Sequence, residues 1–250
     1  FGPQYDIHGG AVDLKFPHHE AEIAQQEAAS GKKPFVRAWM HVGLVTVKDE
    51  KMSKSLKNFL TVEEFLTKHS VDVLRFMILS AHYRSPLNYS EGLVLQSRAA
   101  LATIAEFLGK LDFVAISGRA GAISRAVSAE IAKCEKAFAA AMEADFNTPQ
   151  AVGAVFSFMN ESGKSVWALS RAEATAVRSF LLKKFSVFGL VFKSSAAPAS
   201  VRSLLRKREI ARIGKDFAAA DAVRAEISKA GYAVEDTPIG PHLKALEAKE

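Results

Sequence analysis

The run Lys51-Met52-Ser53-Lys54-Ser55, the lysine run below, decides how the rest of this sequence is interpreted. Its two lysines are three residues apart. A strand-like run, His41–Val47, precedes it, and a capping box at Thr61-Val62-Glu63-Glu64 predicts a helix start after it. The lysines are therefore expected on a loop between a strand and a helix N-terminus, a position that suits anionic ligands. A lysine pair at this spacing also fits an exposed basic loop.

A second feature lies upstream, where the predicted short strand Tyr5–His8 ends in Gly9 and Gly10. Paired glycines after a strand allow the backbone to approach a ligand closely, because they carry no Cβ atom. Asp13, three residues further on, is then placed to accept hydrogen bonds from ribose hydroxyls. The same two glycines also fit a simple turn.

A third feature is a group of possible metal ligands. Pro17 suits the first turn of a helix, and His18 and Glu22 then lie four residues apart on one helix face. An imidazole and a carboxylate at that spacing can bind one metal ion, and His19 with Glu22 is a weaker alternative. Zinc normally takes three or four protein ligands, so any site must be completed from outside this chain. The other interpretation is an amphipathic helix start whose acidic residues match the helix dipole.

From Leu93 onward, apolar residues recur at helical spacing and predict four amphipathic helices with short links, which is the pattern of a helical bundle. Asp145–Thr148 interrupts this pattern, and Pro149 restarts a helix. A second capping box, Ser170-Arg171-Ala172-Glu173, opens the last of the four helices. Cys134 lies on an apolar stripe, so we expect it to pack in the core.

The C-terminal part begins after a predicted linker at Ser194–Ser200. It contains a basic helix, a second helix that ends at Gly231, and a strand-like run at Tyr232–Asp236. The cations of the basic helix are Arg202, Arg206, Lys207, Arg208, Arg212 and Lys215. Such a run is normally a solvated face, although the net charge of +6 is compatible with a polyanionic partner.

The composition of the 250-residue chain, 49% hydrophobic and 24% charged, is ordinary for a globular protein. No apolar run approaches the roughly 18 residues of a membrane span, and no signal peptide opens the chain, so we expect no membrane association. The single cysteine excludes an internal disulfide and favours a reducing compartment, here the cytoplasm. Because Phe1 already lies within patterned sequence, we expect a fragment of a longer protein.

The order of these motifs is more specific than any one of them. Asp6–Gly10, Phe16–Glu20, Trp39–His41 and the lysine run follow one another at characteristic spacing, and Asp145–Pro149 appears further on. Together they resemble the second half of a cysteinyl-tRNA synthetase, and the lysine run resembles the KMSKS signature of class I aminoacyl-tRNA synthetases. The resemblance covers nearly the whole chain.

The resemblance implies functional residues. His18 and Glu22 match two ligands of a zinc ion whose two other ligands, both cysteines, lie outside this chain. Lys51 and Lys54 match the catalytic lysines of the signature. The segments that match the ATP- and adenylate-binding positions contain His8, Gly9, Gly10, Asp13, Lys51, Met52, Ser53, Lys54 and Ser55.

The resemblance also implies a fold: an α/β catalytic remnant of the Rossmann type, then an all-α helical bundle, then a small α+β C-terminal domain. The expected domains are the C-terminal part of the catalytic nucleotide-binding domain (1–47), the KMSKS loop and stem-contact region (48–92), the helical-bundle anticodon-binding domain (93–193), a linker (194–200) and a small C-terminal tRNA-binding domain (201–250).

The implied activity is ligation of L-cysteine to tRNA-Cys through cysteinyl-adenylate, with ATP and Mg²⁺, by a monomer. The sequence leaves two alternatives open: a cysteine–amino-sugar ligase of mycothiol synthesis, and a non-catalytic tRNA-binding relative. The amino-sugar ligase lacks an anticodon-binding end. The presence of Asp145–Pro149 and of the basic C-terminal part therefore disfavours it. Intact His18, Glu22, Lys51 and Lys54 disfavour the second.

Some positions depart from the resemblance. Ala11, Ala21 and Lys57 stand where the family usually has glycine, asparagine and glycine, and Thr237–His242 lacks the usual tryptophan. The upstream HIGH-type motif and both zinc cysteines are absent from this sequence, so we expect the chain alone to be inactive. Two further residues, Arg75 and Arg84, fit phosphate contacts and structural ion pairs equally well.

Overall fold

The computed structural model describes residues 2–47, 50–52, 59–193 and 197–246. The chain divides into two compact units: Phe1–Ser97 with Ala140–Val152, and Arg98–Ala139 with Gly153–Glu250. The domain boundaries expected from the sequence follow the family's modules, and they stay a prediction.

The first unit opens with a strand–helix–strand motif. Strand β1 (Tyr5–Ala11) pairs in parallel with β2 (Val36–Val42), and helix α1 (Glu20–Ser30) lies in the connection between them. Parallel neighbours require such a crossover. The strand predicted at Tyr5–His8 is therefore confirmed, and it continues through both glycines that were predicted to end it.

The start of α1 differs from the sequence prediction. Pro17 was expected in the first turn of the helix, but Lys15–His19 forms a wide π-helical turn and α1 begins only at Glu20. Phe16 is extended (φ −137°, ψ 133°), as proline favours in the residue before it, and Pro17–His19 complete the wide turn before regular α-helical hydrogen bonding begins at Glu20. His18 therefore lies before α1 rather than in its first turn.

A second small sheet follows. Its central strand, β3 (Val45–Val47), pairs antiparallel with β4 (Glu50–Lys51) and parallel with β5 (Leu87–Tyr89). Helices α2 (Val62–Leu66) and α3 (Val71–Leu79) lie between β4 and β5 in the chain. The capping box predicted at Thr61 is confirmed: its hydroxyl accepts from the Glu64 N–H at 3.0 Å, and the Glu64 carboxylate accepts from the Thr61 N–H at 2.8 Å.

The continuous strand predicted at His41–Val47 is wrong, because the chain breaks between β2 and β3. Gly43 lies at this break. A Cβ atom on Gly43 would lie 2.1 Å from the carbonyl oxygen of Ser85. The backbone of the 83–87 segment therefore crosses so closely that only glycine fits.

The four predicted bundle helices are confirmed as α4 (Glu91–Ser117), α5 (Arg125–Glu143), α6 (Thr148–Gly163) and α7 (Arg171–Val187). The fully buried side chains of the second unit include Ile104, Leu111, Val114, Val155, Val177, Leu181 and Phe185. Among the described residues, no helix combines the length and the apolar character that crossing a membrane requires.

Cys134 lies in the core of the second unit, as predicted. Its side chain is buried, and its S–H donates to the carbonyl of Ala154 at 3.6 Å. Burial raises the pKa of the thiol to about 11.

The C-terminal part consists of α8 (Ala199–Ile213), α9 (Phe217–Lys229) and the antiparallel hairpin of β6 (Tyr232–Thr237) and β7 (Gly240–Ala245). Val201, Ile227 and Val234 form its buried core. The sequence predicted both helices and β6 but not β7. Helix α8 also begins within the predicted linker, of which residues 194–196 lie outside the described part of the chain.

A buried carboxylate connects the start of α7 to the start of α5. Glu173 accepts hydrogen bonds from the backbone N–H groups of Ser170 (2.7 Å) and Ser124 (3.1 Å), which confirms the second predicted capping box. Hydrogen bonds from Ser124 and Ser170 hold the pKa of Glu173 at about 2. The charged form is therefore the one that the fold stabilises.

We expect Glu173→Gln to lower the free energy of unfolding by about 1–3 kcal/mol at neutral pH, because a buried acceptor of two N–H groups loses its charge. The folded-state pKa lies below the ordinary 4.5, so this contribution is present above about pH 5 and is lost as the pH falls toward 2. Urea unfolding across that range measures the difference between the two proteins.

Glu161→Gln is the matched control, because Glu161 is exposed and pairs with the exposed Lys164. We expect it to leave stability unchanged at every pH. A Glu173→Gln protein as stable as the native one at pH 7 would contradict the structural role of this carboxylate.

Candidate active site

The parallel pairing of β1 and β2 positions the first part of the candidate site. His8 lies opposite Trp39 in the register, and Gly10 lies opposite His41. The rings of His8 and Trp39 are in contact, with centroids 4.9 Å apart. The two strands therefore present imidazole and indole rings at the same level of the sheet.

The turn before α1 and its first residues bring a carboxylate to these rings. One oxygen of Glu22, Oε1, lies 3.2 Å from Nε2 of His18. The other, Oε2, lies 3.5 Å from Nε2 of His8, but it is buried and makes no hydrogen bond. A buried carboxylate oxygen without a donor is the kind of group that binds a cation.

A pair of buried histidines lies behind this carboxylate. Nδ1 of His19 and Nε2 of His41 are 2.8 Å apart. The pKa of His41 is lowered, mainly by burial and to a smaller extent by the charge of His19. Gly10 admits the His19 ring, since a Cβ atom on Gly10 would lie 2.6 Å from Cε1 of that imidazole. The sequence analysis predicted that Gly10 makes room for a ligand. In the structure, Gly10 makes room for the His19 side chain of the same chain.

Together these side chains form a group that suits a metal ion. His8, His19 and Glu22 can each offer one ligand atom, and these atoms lie within 4.8 Å of one another. Imidazole nitrogen and carboxylate oxygen are ordinary zinc ligands, and the unsatisfied oxygen of Glu22 fits that role. His18, the predicted partner of Glu22, lies 3.2 Å from it but is not a member of this group of three, which contains His8 and His19 instead.

Sequence reasoning did not assign His8 to this group and ranked His19 as the weaker alternative. The spacing rule that found His18 applies within one helix, whereas His8 lies on a strand fourteen residues from Glu22. The available signal was the strand–helix–strand pattern, which places the end of a strand near the start of the following helix.

The first four predicted nucleotide-binding residues, His8, Gly9, Gly10 and Asp13, lie along β1 and just after it. A cavity of about 450 Å³ is lined by Gln4, Tyr5, Asp6, Ile7, His8 and Gly9. Asp13 is exposed in the turn between β1 and α1. His8 and Gly9 therefore share one cavity, whereas Asp13 is not among its lining residues.

The lysine run begins within β4. The backbone of Lys51 pairs with that of Thr46, and the N–H of Met52 donates to the carbonyl of Val45 at 3.1 Å. Ser53, Lys54 and Ser55 lie outside the described residues, and so does Lys57. The structure thus gives the attachment of the run to β3 and β4.

Arg75 and Arg84, which the sequence left open between phosphate contacts and structural ion pairs, both have acidic neighbours. Arg75 lies 3.8 Å from Asp72, one helical turn away. Arg84 donates through Nε and Nη2 to the carboxylate of Asp145, the Nη2 bond being 3.0 Å long. The structure therefore favours ion pairing for both, and most strongly for Arg84.

The cations in and just after helix α8 form two groups, one paired with Asp236 and the other exposed to solvent. Arg208 is buried and donates to both carboxylate oxygens of Asp236, at 2.9 and 2.8 Å, and Arg212 lies 2.7 Å from the same group. These two arginines connect α8 to β6. The other cations of this run, Arg202, Arg206, Lys207 and Lys215, are exposed.

Comparison with known protein families gives three matches in order along the chain. Residues 1–99 match the class I (C) tRNA synthetase catalytic domain, residues 137–193 match the DALR domain, and residues 194–240 match the cysteinyl-tRNA ligase anticodon binding domain. The three matches together extend from the α/β part to the C-terminal hairpin.

Curated relatives carry the name cysteine--tRNA ligase. The protein of Caldicellulosiruptor saccharolyticus is 39% identical over 98% of this chain and 54% of its own length. The protein of Cupriavidus pinatubonensis is 43% identical over 96% of this chain and 50% of its own length. The chain thus spans about half the length of the curated relatives it matches.

Two solved structures share the fold. A LeuRS of Agrobacterium radiobacter K84, in a ternary complex with tRNA and LeuAMS, has a TM-score of 0.59 at 17% identity over 73% of this chain and 26% of its own. A methionyl-tRNA synthetase of Mycobacterium tuberculosis, bound by methionyl-adenylate, has a TM-score of 0.53 at 19% identity over 72% and 39%. The predicted fold class is confirmed by these likenesses.

We expect Glu22→Gln to weaken zinc binding by this chain at least about tenfold, because an amide oxygen is a much poorer ligand than a carboxylate. Zinc binding by the unaltered chain should itself be weak, since two of the expected ligands lie outside it. Titration against a chromogenic chelator measures the affinity. Equal affinity of the two proteins would remove Glu22 from the site.

Glu20→Gln is the control, because Glu20 is exposed in the first turn of the same helix, and we expect it to bind zinc like the native chain. The variants His8→Gln and His18→Gln then distinguish the two neighbours of Glu22. The one that binds zinc less tightly identifies the histidine that acts as a ligand.

Proposed function

Because this chain belongs to the cysteinyl-tRNA synthetase family, we propose that its protein joins L-cysteine to tRNA-Cys in an ATP-dependent reaction. The observation that carries this proposal is the order of the three family matches, from catalytic domain to anticodon-binding domain, within one chain. The modules would have the boundaries expected from the sequence, at 47/48, 92/93, 193/194 and 200/201. We place the reaction in the cytoplasm and expect a monomeric enzyme.

The proposed chemistry has two steps. The carboxylate of cysteine attacks the α-phosphate of ATP, pyrophosphate leaves with its electron pair, and cysteinyl-adenylate forms. The 3′-terminal ribose hydroxyl of the tRNA then attacks the acyl carbon and AMP leaves. Displacement at phosphorus depends on positioning and on neutralising charge. Lys51 and Lys54 would neutralise the charge that grows on pyrophosphate with its Mg²⁺.

The nucleotide would bind along β1. His8 and Gly9 line the cavity there, Asp13 would accept hydrogen bonds from the ribose, and Gly10 would contribute through its backbone. Met52, Ser53 and Ser55 would complete the binding of the phosphates. The attachment of the lysine run to β3 supports this, because β3 follows directly after β2 in the chain.

His18 and Glu22 would hold a zinc ion with two further ligands from outside this chain. When bound, such an ion coordinates the thiolate of cysteine far better than the hydroxyl of serine, which supplies selectivity that an apolar pocket lacks. His8 contacts Glu22 from the other side and limits the positions that its carboxylate can take. His41 holds Nδ1 of His19 and so directs the other nitrogen of that ring.

The match to an anticodon-binding domain at residues 194–240 favours tRNA as the partner over an amino sugar. The exposed cations of α8 suit phosphate contacts, and unpaired anticodon bases expose edges that helical RNA hides. We therefore propose that the C-terminal part selects tRNA-Cys at its anticodon.

In the full-length protein, Lys54→Ala should lower kcat of cysteine-dependent ATP–pyrophosphate exchange by about 10²-fold or more, because its interaction strengthens as pyrophosphate leaves. The KM for cysteine should change little. Lys32→Ala, which removes an exposed lysine after α1, is the control and should retain full exchange. An unaltered protein without cysteine-dependent exchange would overturn the proposed function.

The chain by itself should bind tRNA-Cys without forming the adenylate. Replacing Arg206 and Lys207 together by alanine should weaken binding and reduce the slope of log K against log salt by about 0.7–0.9 for each phosphate that the variant no longer neutralises. Filter binding across a salt series measures both quantities. These two residues are preferable to Arg208, whose burial against Asp236 gives it a structural role.

The control for charge is the double variant Lys133→Ala with Lys164→Ala, because these exposed lysines lie beside Glu130 and Glu161. It removes the same charge and should leave the salt slope unchanged. Equal slopes for the two double variants would show that α8 is only a part of a generic basic surface.

A further inference from the structure

The segment after α3 packs against the link between β2 and β3 so closely that there is no room for a side chain at Gly43. The N–H of Gly43 donates to the carbonyl of Tyr83 at 2.7 Å, and the N–H of Leu87 donates to the carbonyl of Leu44 at 3.0 Å. Between these bonds, the Cα of Gly43 lies against the Ser85 carbonyl. The position of the 83–87 segment therefore fixes where β3 begins.

Strand β3 in turn fixes the start of the lysine run. Val45 accepts the N–H of Met52 at 3.1 Å, and Thr46 pairs with Lys51. Only backbone hydrogen bonds and one strand separate the 83–87 segment from the first two residues of the run. A shift of that segment would therefore be transmitted to Lys51 and Met52.

The carboxylate of Asp145, in the turn between α5 and α6, binds the 83–87 segment. Oδ1 of Asp145 accepts from the hydroxyl of Tyr83 at 2.6 Å and from Nη2 of Arg84 at 3.0 Å, and Oδ2 accepts from Nε of Arg84. Hydrogen bonds from Arg84 and Tyr83 hold the pKa of Asp145 at about 2. The carboxylate is thus ionised throughout the physiological range and uses both oxygens.

The turn that carries Asp145 is built to aim this side chain. Asp145 and Phe146 both have positive φ, 60° and 51°, which residues other than glycine rarely adopt. The turn is closed by the N–H of Phe146, which donates to Met142 at 3.0 Å, and the hydroxyl of Thr148 donates to the carbonyl of Leu79 at 3.0 Å. A strained pair that persists on a surface turn calls for a functional explanation.

Stability alone explains this arrangement poorly. Asp145 and Arg84 are each nearly half exposed, 45% and 46% of the side chain, and exposed ion pairs contribute little to folding. What the contact supplies is geometry, because a carboxylate facing a guanidinium in this fork fixes the orientation as well as the distance.

We propose that Asp145 is a positioning residue of the ligation reaction. By holding Tyr83 and Arg84 it fixes the segment that contacts Gly43, and through β3 it sets the positions of Lys51 and Met52, the first two residues of the lysine run, for adenylate formation. The proposal rests on the function proposed above. It also makes the placement of Lys51 and Met52 depend on the turn between α5 and α6, which lies in the same compact unit.

The test uses Asp145→Gly in the full-length protein, because glycine adopts positive φ freely and the fold should survive loss of the carboxylate. We expect kcat of cysteine-dependent ATP–pyrophosphate exchange, measured without tRNA, to fall about tenfold, since small misplacements of reacting groups cost this much or more. The KM for cysteine and the thermal midpoint should change little. Asp145→Asn, which also tolerates positive φ, should give a smaller decrease.

Asp72→Ala is the matched control, since it removes the carboxylate beside another exposed arginine, Arg75, and should retain full exchange. The decisive measurement is the double variant of Asp145→Gly with Lys51→Ala. If Asp145 acts by positioning Lys51, the double variant should exchange as fast as Lys51→Ala alone.

Two results would overturn the proposal. Independent effects that multiply in the double variant would mean that Asp145 acts elsewhere. Unchanged exchange combined with weaker tRNA binding would mean that Asp145 serves Arg84 as a phosphate contact. Failure of the proposed function is a different result, namely no cysteine-dependent exchange by the unaltered protein.

Discussion

The parallel register between β1 and β2 is the constraint on which the candidate site depends. It sets His8 beside Trp39 and Gly10 beside His41, and parallel strands oblige the chain to return through a crossover. That crossover carries Glu22, whose carboxylate then reaches the end of β1. A slip of one residue would turn every side chain of a strand to the other face, so His8 and Glu22 would no longer meet.

Two glycines serve this architecture by lacking a side chain. Gly10 leaves room for the imidazole of His19, and Gly43 leaves room for the carbonyl of Ser85. Neither has the positive φ for which glycine is often selected. In each case a close contact between distant parts of the chain requires the residue, and both contacts lie next to proposed functional groups.

Local patterns were predictable from the sequence, and distant contacts were not. The capping boxes at Thr61 and Ser170 were predicted correctly because each involves one helical turn. The break at Gly43 was missed because its cause, Ser85, lies 42 residues further on in the chain. Strand β7 was missed because its stability comes from pairing with β6. The chemistry of the site was predicted only in part, since helical spacing identified His18 with Glu22 but could not indicate His8.

The buried thiol of Cys134 has a consequence for redox chemistry. With a pKa of about 11, only about one molecule in ten thousand carries the thiolate at neutral pH, and the thiolate is the form that attacks a disulfide. Keeping its single thiol protonated in the core protects this chain from being trapped as an adduct of its own proposed substrate.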